Sequence, residues 1–281
     1  MTGRIAVLLA LFMIALSNTA TACYCIGFKP SLDGASMYNV VILDPDEADS
    51  SLVRGLAERG TIVLAYINIG YAEEWRSYWI NVSRAGIVHG PTEYEGEYFV
   101  EYWSPAWRSI ILGYARKALA EGFTGVYLDN IDAAMVLREE KPGWAGNVDP
   151  VEAIIELVSS VDSVAGLVYV NIGAAVGLLY NNSLLNHVDG VLREEVFHQL
   201  DGLGRLSSNP YSGVKTVLDA LVYARMRGKT VIVVEFVTSL PEALIYSVFY
   251  SMLGLNVILQ SSLDPYYEDY PITLNPGSGI V

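Results

Sequence analysis

The chain has 281 residues but contains only two cysteines and three histidines. Cys23 and Cys25 are separated by one residue, and cysteines so close in sequence rarely pair, so no disulfide framework is expected. The histidines, His89, His187 and His198, share no metal-ligand spacing, and none of them ends a strand-like run. The sequence therefore predicts no metal site.

Motifs of nucleotide and phosphate chemistry are also missing. There is no glycine-rich dinucleotide fingerprint, no Walker motif and no nucleophile-elbow serine. Phosphate-binding barrels place backbone amides in the loops after their last two strands. Here those loops read Phe236 to Leu240 and Ser261 to Asp264, and neither contains glycine. We therefore expect neither a cofactor nor a phosphorylated substrate.

Basic residues are scarce, with 17 lysines and arginines against 31 acidic residues and a net charge of -14. Nucleic acids and anionic membranes are poor partners for such a surface. An acidic surface favours solubility by itself, and it also attracts cationic substrates. Composition does not separate these two interpretations.

The N-terminal segment is apolar but short. Residues 1–22 combine one basic residue, an apolar stretch from Ile5 to Leu16 and the small residues Ala20-Thr21-Ala22. Because a membrane span needs about 20 apolar residues, this segment predicts a cleaved export signal. We expect a secreted or cell-surface domain over 23–281 with no stable membrane insertion. A lipid-modified Cys23 and an uncleaved signal anchor are the alternatives.

Short runs rich in Val, Ile and Leu recur along the rest of the chain, and continuous apolar runs are typical of buried parallel strands. The predicted strands are Tyr24 to Phe28, Val40 to Asp44, Thr61 to Asn68, Gly125 to Asp129, Leu167 to Asn171, Gly190 to Glu194, Val231 to Glu235 and Val257 to Gln260. The predicted helices lie at about 46–59, 104–122, 150–161, 174–185, 213–227 and 241–253. Strands that alternate with helices predict an α/β fold, here a single-domain (β/α)8 TIM barrel. A doubly wound open sheet is the alternative.

Some connections depart from ordinary α/β loops. Only eleven residues separate Phe28 from Val40, so the first crossover helix must be short or absent. Three long connections, 69–104, 130–149 and 195–212, follow strand ends on the functional face, and an extra strand is expected at 97–102. The first connection is rich in aromatic residues, which either stack on sugar rings or simply cover the barrel. These residues are Tyr71, Trp75, Tyr78, Trp79, Tyr94, Tyr98, Tyr102 and Trp103.

Seven of the predicted strands end in a carboxylate or an amide. These residues are Asp44, Asn68, Asp129, Asn171, Glu194, Glu235 and Gln260. In a closed barrel such ends meet around one mouth, and hydrolysis of a glycosidic bond commonly uses two carboxyl groups there. Asp129 and Glu194 are the best pair. Asp44 and Glu235 are candidates for substrate binding, and Asn68 and Asn171 suit recognition of hydroxyl groups.

Several segments together resemble glycoside hydrolase family 114, the endo-α-1,4-polygalactosaminidases, which are related to the hydrolase domain of the bacterial Pel polysaccharide machinery. The segments are VVILD (Val40 to Asp44), AYINIGYAEEWRSYW (Ala65 to Trp79), YFVEYWSPAW (Tyr98 to Trp107), GFTGVYLDNID (Gly122 to Asp132) and VDGVLREEVF (Val188 to Phe197). The resemblance implies a (β/α)8 barrel that cleaves α-1,4-linked galactosamine chains, with Asp129 and Glu194 as the catalytic residues. It also implies that the positions lining or bracing the cleft are Asp44, Glu73, Arg76, Asn130 and Asp132.

The resemblance also implies a partner, since de-N-acetylated galactosamine polymers are cationic and suit an acidic protein. Two departures affect the subsites. Family members often have Gly-Glu-Ala-Glu where this chain has Gly70-Tyr71-Ala72-Glu73, and Asp132 is followed by Ala133 and Ala134 without an aromatic residue. We therefore expect an exported, retaining endo-glycosidase. The alternatives are a glycosidase for another amino-sugar glycan and a non-catalytic carbohydrate-binding barrel.

Overall fold

The computed structural model of the protein describes residues 22–24, 32–36, 38–200 and 205–260. The predicted export signal before Ala22, the end of the first predicted strand and the segment after Gln260 lie outside these residues. No helix in the described part of the chain combines the length and the hydropathy needed to cross a membrane.

The described strands and helices are numbered in chain order. The strands are β1 (Ala22–Tyr24), β2 (Val40–Leu43), β3 (Ile62–Asn68), β4 (Tyr71–Glu73), β5 (Val88–Pro91), β6 (Glu97–Val100), β7 (Gly125–Asp129), β8 (Val168–Asn171), β9 (Gly190–Glu194), β10 (His198–Leu200), β11 (Leu206–Ser208), β12 (Thr230–Phe236) and β13 (Asn256–Gln260). The helices are α1 (Leu32–Ala35), α2 (Ser50–Glu58), α3 (Trp79–Ala85), α4 (Pro105–Glu121), α5 (Ala133–Glu140), α6 (Pro150–Ala165), α7 (Asn182–Leu185), α8 (Tyr211–Met226) and α9 (Leu240–Met252).

Eight parallel strands form one sheet in the order β1-β2-β3-β7-β8-β9-β12-β13, and β13 also contacts β1. The sheet is therefore a closed barrel surrounded by helices, which confirms the predicted TIM barrel and excludes the open doubly wound sheet. The first crossover carries the four-residue helix α1. This agrees with the short connection that the spacing requires.

Side chains of each barrel strand alternate between two apolar layers, as the two-residue period of a strand dictates. One layer fills the barrel interior and contains Ile42, Tyr66, Tyr127, Tyr169, Leu192, Ile232, Val234 and Ile258. The other layer packs the strands against the helices and contains Val41, Ala65, Val126, Val170, Val191 and Val233. Residue parity along each strand therefore tells whether a side chain points inward or outward.

The long segment after β3 forms a second, three-stranded sheet in the order β4-β6-β5. The expected extra strand at 97–102 is confirmed as β6. Trp107 of α4 is fully buried and donates a hydrogen bond from Nε1 to the carbonyl oxygen of Ile69 at 3.0 Å. The chain is therefore fixed to α4 two residues before the added sheet begins at Tyr71.

The predicted helix over 174–185 is wrong. The chain instead forms a 3-10 helix over Val176–Tyr180 and then α7. Asn181 lies between them with an extended backbone, and its side chain accepts a hydrogen bond from the Ser183 N–H at 2.8 Å. An asparagine that caps a new helix in this way interrupts the preceding one. The loop predicted over 130–149 also contains a helix, α5.

Gly190 allows a close contact inside the barrel, where it pairs in register with Tyr169. A Cβ atom at position 190 would lie 2.2 Å from the Tyr169 ring. We predict that Gly190→Ala lowers the free energy of unfolding by about 1–3 kcal/mol through overpacking. Urea denaturation measures this change.

Gly113 provides the matched control. It is exposed within α4, and a Cβ atom there would meet no atom within 4 Å. Gly113→Ala should therefore raise the free energy of unfolding by about 0.5–1 kcal/mol. Equal stability of the Gly190→Ala variant and the wild type would contradict the packing of Tyr169 described here.

Candidate active site

The mouth of the barrel collects six of the seven polar strand ends that the sequence singled out. Each of the six lies two residues after an interior core residue, so its side chain points inward. These residues are Asp44, Asn68, Asp129, Asn171, Glu194 and Gln260. Glu235 lies two residues after Val233, which packs against the helices, so its side chain points outward.

Asp129 and Glu194 form the centre of the mouth. Asp129 accepts hydrogen bonds from Tyr66 Oη to Oδ2 at 2.7 Å and from the Asn130 backbone N–H to Oδ1 at 2.9 Å. Glu194 accepts a hydrogen bond from Asn171 Nδ2 to Oε2 at 3.2 Å. The Asn171 side chain also lowers the pKa of Asp129. One amide therefore influences both carboxyl groups.

The two carboxyl groups differ in what surrounds them. Burial raises the pKa of Glu194 to about 7, and the negative charge of Asp129 adds to the effect. Burial also raises the pKa of Asp129, but hydrogen bonds from Tyr66, Asn130 and Asn171 oppose the shift. Such a site can hold a carboxylic acid beside a carboxylate near neutral pH, which is the combination that acid–base and nucleophilic chemistry requires.

The residues that follow Asp129 and Glu194 share an unusual backbone conformation. Asn130 and Glu195, which directly follow Asp129 and Glu194, both have a left-handed φ of 59°. Asparagine adopts this conformation readily, whereas glutamate rarely does. Unfavourable backbone conformations that the surrounding structure maintains cluster at functional sites.

Arg76 joins the mouth to the added sheet. It donates from Nη1 to Asp44 Oδ2 and from Nε to Glu73 Oε2, each at 2.5 Å, and only 6% of its surface is exposed. Burial alone would lower the pKa of Arg76, but the attraction of Glu73 and Asp44 outweighs it and raises that pKa. The guanidinium also lies 5.4 Å from the centre of the Tyr66 ring. The charged triad therefore supports the tyrosine that hydrogen-bonds Asp129.

Glu97 is a site residue that the sequence analysis missed. It pairs directly with Glu73 across β4 and β6, an arrangement that repels when both residues are ionised. Asn68 relieves this repulsion by donating from Nδ2 to Glu97 Oε2 at 3.0 Å and to Glu73 Oε1 at 3.3 Å. Burial raises the pKa of both carboxyl groups. The one sequence feature that could have identified Glu97 is its position as an acid at the start of the predicted extra strand.

Asp132 and its alanine neighbours are structural in this conformation. Asp132 accepts a hydrogen bond from the Ala174 N–H at 2.9 Å, which ties the loop after β7 to the loop after β8. A Cβ atom on Gly70 would lie 2.1 Å from the Asn130 carbonyl oxygen and 2.7 Å from the Ala133 side chain. Position 133 therefore requires a small residue because the backbone at Gly70 passes directly against it.

Glu235 is placed behind the mouth. Its exposed fraction is 0%, and it accepts hydrogen bonds from the Phe197 and His198 backbone N–H groups and from Tyr250 Oη. Burial raises its pKa to about 7 against the effect of these bonds. The carboxylate therefore contacts the loop after β9 and not the group of inward-pointing side chains.

The aromatic residues of the long segment after β3 divide into two sets. Tyr78 and Tyr102 are buried in the core. Tyr94 is 65% exposed, and its pKa is raised by burial and by the negative charges of nearby acids that include Glu194. Tyr94 therefore presents an exposed ring in the loop that leads to Glu97, whose N–H donates to the Tyr94 carbonyl oxygen at 3.2 Å. Trp75, which is 56% exposed, presents a second ring on the same segment.

A separate cavity of about 950 Å³ lies between α8 and α9. Its lining is mostly aromatic and aliphatic and includes Phe197, Tyr246 and Phe249. The carboxyl groups of the mouth do not line it, so it is distinct from the candidate active site. Across the residues that the structure describes, no group of three or more His, Cys, Asp or Glu side chains is arranged to hold a metal ion.

A family model described as glycoside-hydrolase family GH114 matches residues 14–259. The chain belongs to glycoside hydrolase family 114. This result confirms the family resemblance found in the sequence.

Two solved structures resemble this family 114 chain. The glycoside hydrolase domain of PelA from Pseudomonas aeruginosa has a TM-score of 0.72 and 15% sequence identity, covering 89% of this chain and 97% of that chain. Ega3 from Aspergillus fumigatus, solved as a complex with galactosamine, has a TM-score of 0.65 and 16% identity, covering 90% and 95%. At these identities the similarity shows a shared fold.

Curated relatives match over shorter stretches. An uncharacterised protein from Methanocaldococcus jannaschii is 30% identical over 204 residues, which cover 66% of this chain and 55% of that protein. An uncharacterised protein from Deinococcus radiodurans is 34% identical over 117 residues, which cover 38% and 37%. The family 114 chain thus spans about half, or less, of the length of these relatives.

The raised pKa of Glu194 predicts a specific pH dependence of stability. With a folded-state pKa of about 7 against an ordinary value of 4.5, Glu194 stays neutral in the folded protein up to about pH 7. It has no effect on stability below pH 4.5, destabilises the fold increasingly as pH rises from 4.5 through 7, and has its full effect above 7. Glu194→Gln should therefore raise Tm at pH 8, by about 2–4 °C per kcal/mol relieved, and leave it unchanged at pH 4. Thermal unfolding across this range measures the effect.

Asp46 supplies a control of opposite sign. Burial alone would raise the pKa of Asp46, but hydrogen bonds from Ser77, Tyr114 and Lys117 outweigh it and lower that pKa. Asp46→Asn should therefore lower Tm at neutral pH, and the loss should shrink as pH falls through the lowered pKa. If both variants shift Tm in the same direction at pH 8, the electrostatic account of Glu194 is wrong.

Proposed function

We propose that the protein is an exported, retaining endo-glycosidase that hydrolyses α-1,4-linked galactosamine-rich polysaccharide with Asp129 and Glu194. The observation that carries this proposal is the presence of two interacting carboxyl groups, Asp129 and Glu194, at the mouth of a family 114 barrel. Export rests on the signal-like residues 1–22, and the protein's location would be secreted or cell-surface.

Glu194 is the general acid in this mechanism and Asp129 is the nucleophile. A carboxyl group with a pKa of about 7 retains a proton for the leaving glycosidic oxygen. Asp129, which accepts hydrogen bonds from Tyr66 and the Asn130 N–H, is better suited to react as a carboxylate and to attack the anomeric carbon. Water then hydrolyses the glycosyl ester on Asp129, and Glu194 accepts the proton that the water loses.

Retention is supported by the shared amide. Retaining enzymes hold their two carboxyl groups about 5–5.5 Å apart, whereas inverting enzymes leave about 6.5–9.5 Å for a water molecule. Asn171 hydrogen-bonds Glu194 and lowers the pKa of Asp129, and a single side chain that acts on both carboxyl groups fits the shorter spacing better. Nuclear magnetic resonance of the first-formed product measures the anomeric configuration.

A cationic sugar polymer suits the charges of the mouth. Five carboxyl groups belong to the mouth and the adjoining sheet, and Arg76 is already paired with two of them. The five are Asp44, Glu73, Glu97, Asp129 and Glu194. Protonated amino groups would offset their mutual repulsion, and Ega3, which shares the fold, was solved with galactosamine.

The remaining predicted residues take supporting parts in the proposed site. Asp44 and Asn130 are proposed to contact the sugar, whereas Asn68, Glu73 and Arg76 brace the site from the added sheet. Asp132 connects the loops after β7 and β8, and Asn171 hydrogen-bonds the Glu194 carboxyl group. Glu235 is proposed to act from behind the mouth.

Conservative substitutions of the carboxyl pair test the reaction. Asp129→Asn and Glu194→Gln should each reduce release of reducing ends from de-N-acetylated galactosamine oligomers by at least about 10²-fold, since each removes a group required in the transition state. The N-acetylated oligomers serve as the comparison substrate. Full activity of either variant would refute the assignment, and sugar binding by the wild type without cleavage would favour a carbohydrate-binding protein.

Tyr94 tests how the cleft holds sugar. Tyr94→Ala removes an exposed ring from the loop that leads to Glu97, so we predict an increase in KM of about 3- to 10-fold with little change in kcat, as expected for a stacking contact. Tyr180 is 51% exposed and packs against Tyr223 of α8, so Tyr180→Ala is the matched control. An equal KM for the wild type and Tyr94→Ala would remove Tyr94 from the substrate site.

A further inference from the structure

Glu235 is a buried carboxylate for which the proposed reaction has no direct use. It is the last outward-pointing residue before the end of β12, on the same face as Val231 and Val233. Its surroundings are the helical layer, where Tyr250 of α9 donates a hydrogen bond to Oε2 at 2.8 Å. A sugar in the mouth cannot reach a side chain that lies on the other side of the strand and has no exposed surface.

The contacts of Glu235 lead to the loop that follows Glu194. The Phe197 backbone N–H donates to both carboxylate oxygens at 3.1 and 3.2 Å, and the His198 backbone N–H donates to Oε1 at 3.1 Å. Two successive amides are thus bound by one carboxylate, three and four residues beyond the proposed general acid. A carboxyl oxygen can accept from backbone N–H groups whether or not the group is ionised, so this contact constrains the loop.

Other side chains hold the same loop from two more directions. Asn209 donates from Nδ2 to the carbonyl oxygens of Glu195 and Val196 at 2.9 and 3.1 Å. The Phe197 ring stacks on Tyr246 of α9, with 5.0 Å between ring centres. These contacts surround the residue whose backbone is least favourable, Glu195, with its left-handed φ of 59°.

Without such contacts Glu195 would favour an ordinary backbone conformation, because a side chain with a Cβ atom disfavours the left-handed region. A change of φ at Glu195 would alter the direction in which the chain leaves β9. The Glu194 carboxyl group precedes that bend by one residue. Its orientation toward Asn171 and Asp129 therefore depends on the loop that Glu235 holds.

We propose that Glu235 is a positioning residue for Glu194, which it keeps directed into the mouth by binding the Phe197 and His198 amides and maintaining the bend at Glu195. This inference rests on the proposed function in taking Glu194 as the general acid. The orientation itself is a property of the folded protein and can be measured without substrate.

The decisive experiment is a carboxyl titration of Glu194 by nuclear magnetic resonance. In protein labelled with ¹³C at glutamate side chains, the Glu194 signal is the one that Glu194→Gln removes. In the wild type we expect a midpoint near the pKa of about 7. Glu235→Ala should move this midpoint toward the ordinary value of 4.5, because a released loop exposes the carboxyl group to water.

Two further variants separate positioning from charge and from stability. Glu235→Gln removes the charge but retains an oxygen that can accept from the two amides, so it should keep the midpoint close to that of the wild type. Val231→Ala creates a cavity on the same outward face of β12 without touching the loop, so it should lower Tm and leave the midpoint unchanged. An unchanged midpoint in Glu235→Ala, or an equal shift in Glu235→Gln, would overturn the proposal.

Kinetics give a second readout and keep the two proposals apart. With galactosamine oligomers as substrate, Glu235→Ala should lower kcat at least 10-fold and change KM less than 2-fold, with Glu235→Gln recovering most of the loss. A rise in KM alone would instead make Glu235 a substrate contact and refute the positioning role. If the wild type cleaves no galactosamine polymer while the Glu194 midpoint still shifts as expected, the proposed function fails and the positioning role of Glu235 stands.

Discussion

The alternation of side chains along buried parallel strands is the constraint on which this site depends. Each barrel strand must fill the interior with one set of residues and pack against the helices with the other, so the strand's last residue has no freedom in its direction. At β7 the interior residue Tyr127 fixes the direction of Asp129, and at β9 the interior residue Leu192 fixes that of Glu194. Core packing and the proposed catalysis thus share one geometric rule, because the interior residue that fills the core also determines which polar group faces the mouth.

The acids collected at one mouth repel one another, and both charged and neutral side chains reduce this repulsion. Arg76 is held between Asp44 and Glu73, whereas Asn68 separates Glu73 from Glu97 and Asn171 links Asp129 to Glu194. Amides serve well between carboxyl groups because they can donate to either partner, whichever is ionised. The resulting site retains unbalanced negative charge, and this is the property that a cationic sugar chain would complement.

Most of the fold and part of the candidate site could be predicted from the sequence. Strand positions, the barrel and the Asp129–Glu194 pair were predicted because apolar runs and their polar ends are local features. The direction of Glu235 was not, since Val231 to Val234 is apolar on both faces and such a run carries no information about which face points inward. Glu97 was missed for a different reason: its partner Glu73 lies on another strand of the added sheet, and only long-range pairing brings the two acids together.

The outward face of β12 and the inward face of β9 have different roles in the proposed placement of Glu194. An inward carboxylate at position 235 would add another negative charge to a mouth that already repels its own acids, and would raise the pKa of Glu194 further. Facing outward, the same residue binds backbone amides, and these donors stabilise its charge within the protein. A carboxyl group that points outward at a strand end, unlike the inward-pointing groups of the other strands, can therefore support the proposed acid chemistry without contacting the substrate. Along a barrel strand, the inward-pointing residues face the mouth, whereas the outward-pointing residues can position the loops around it.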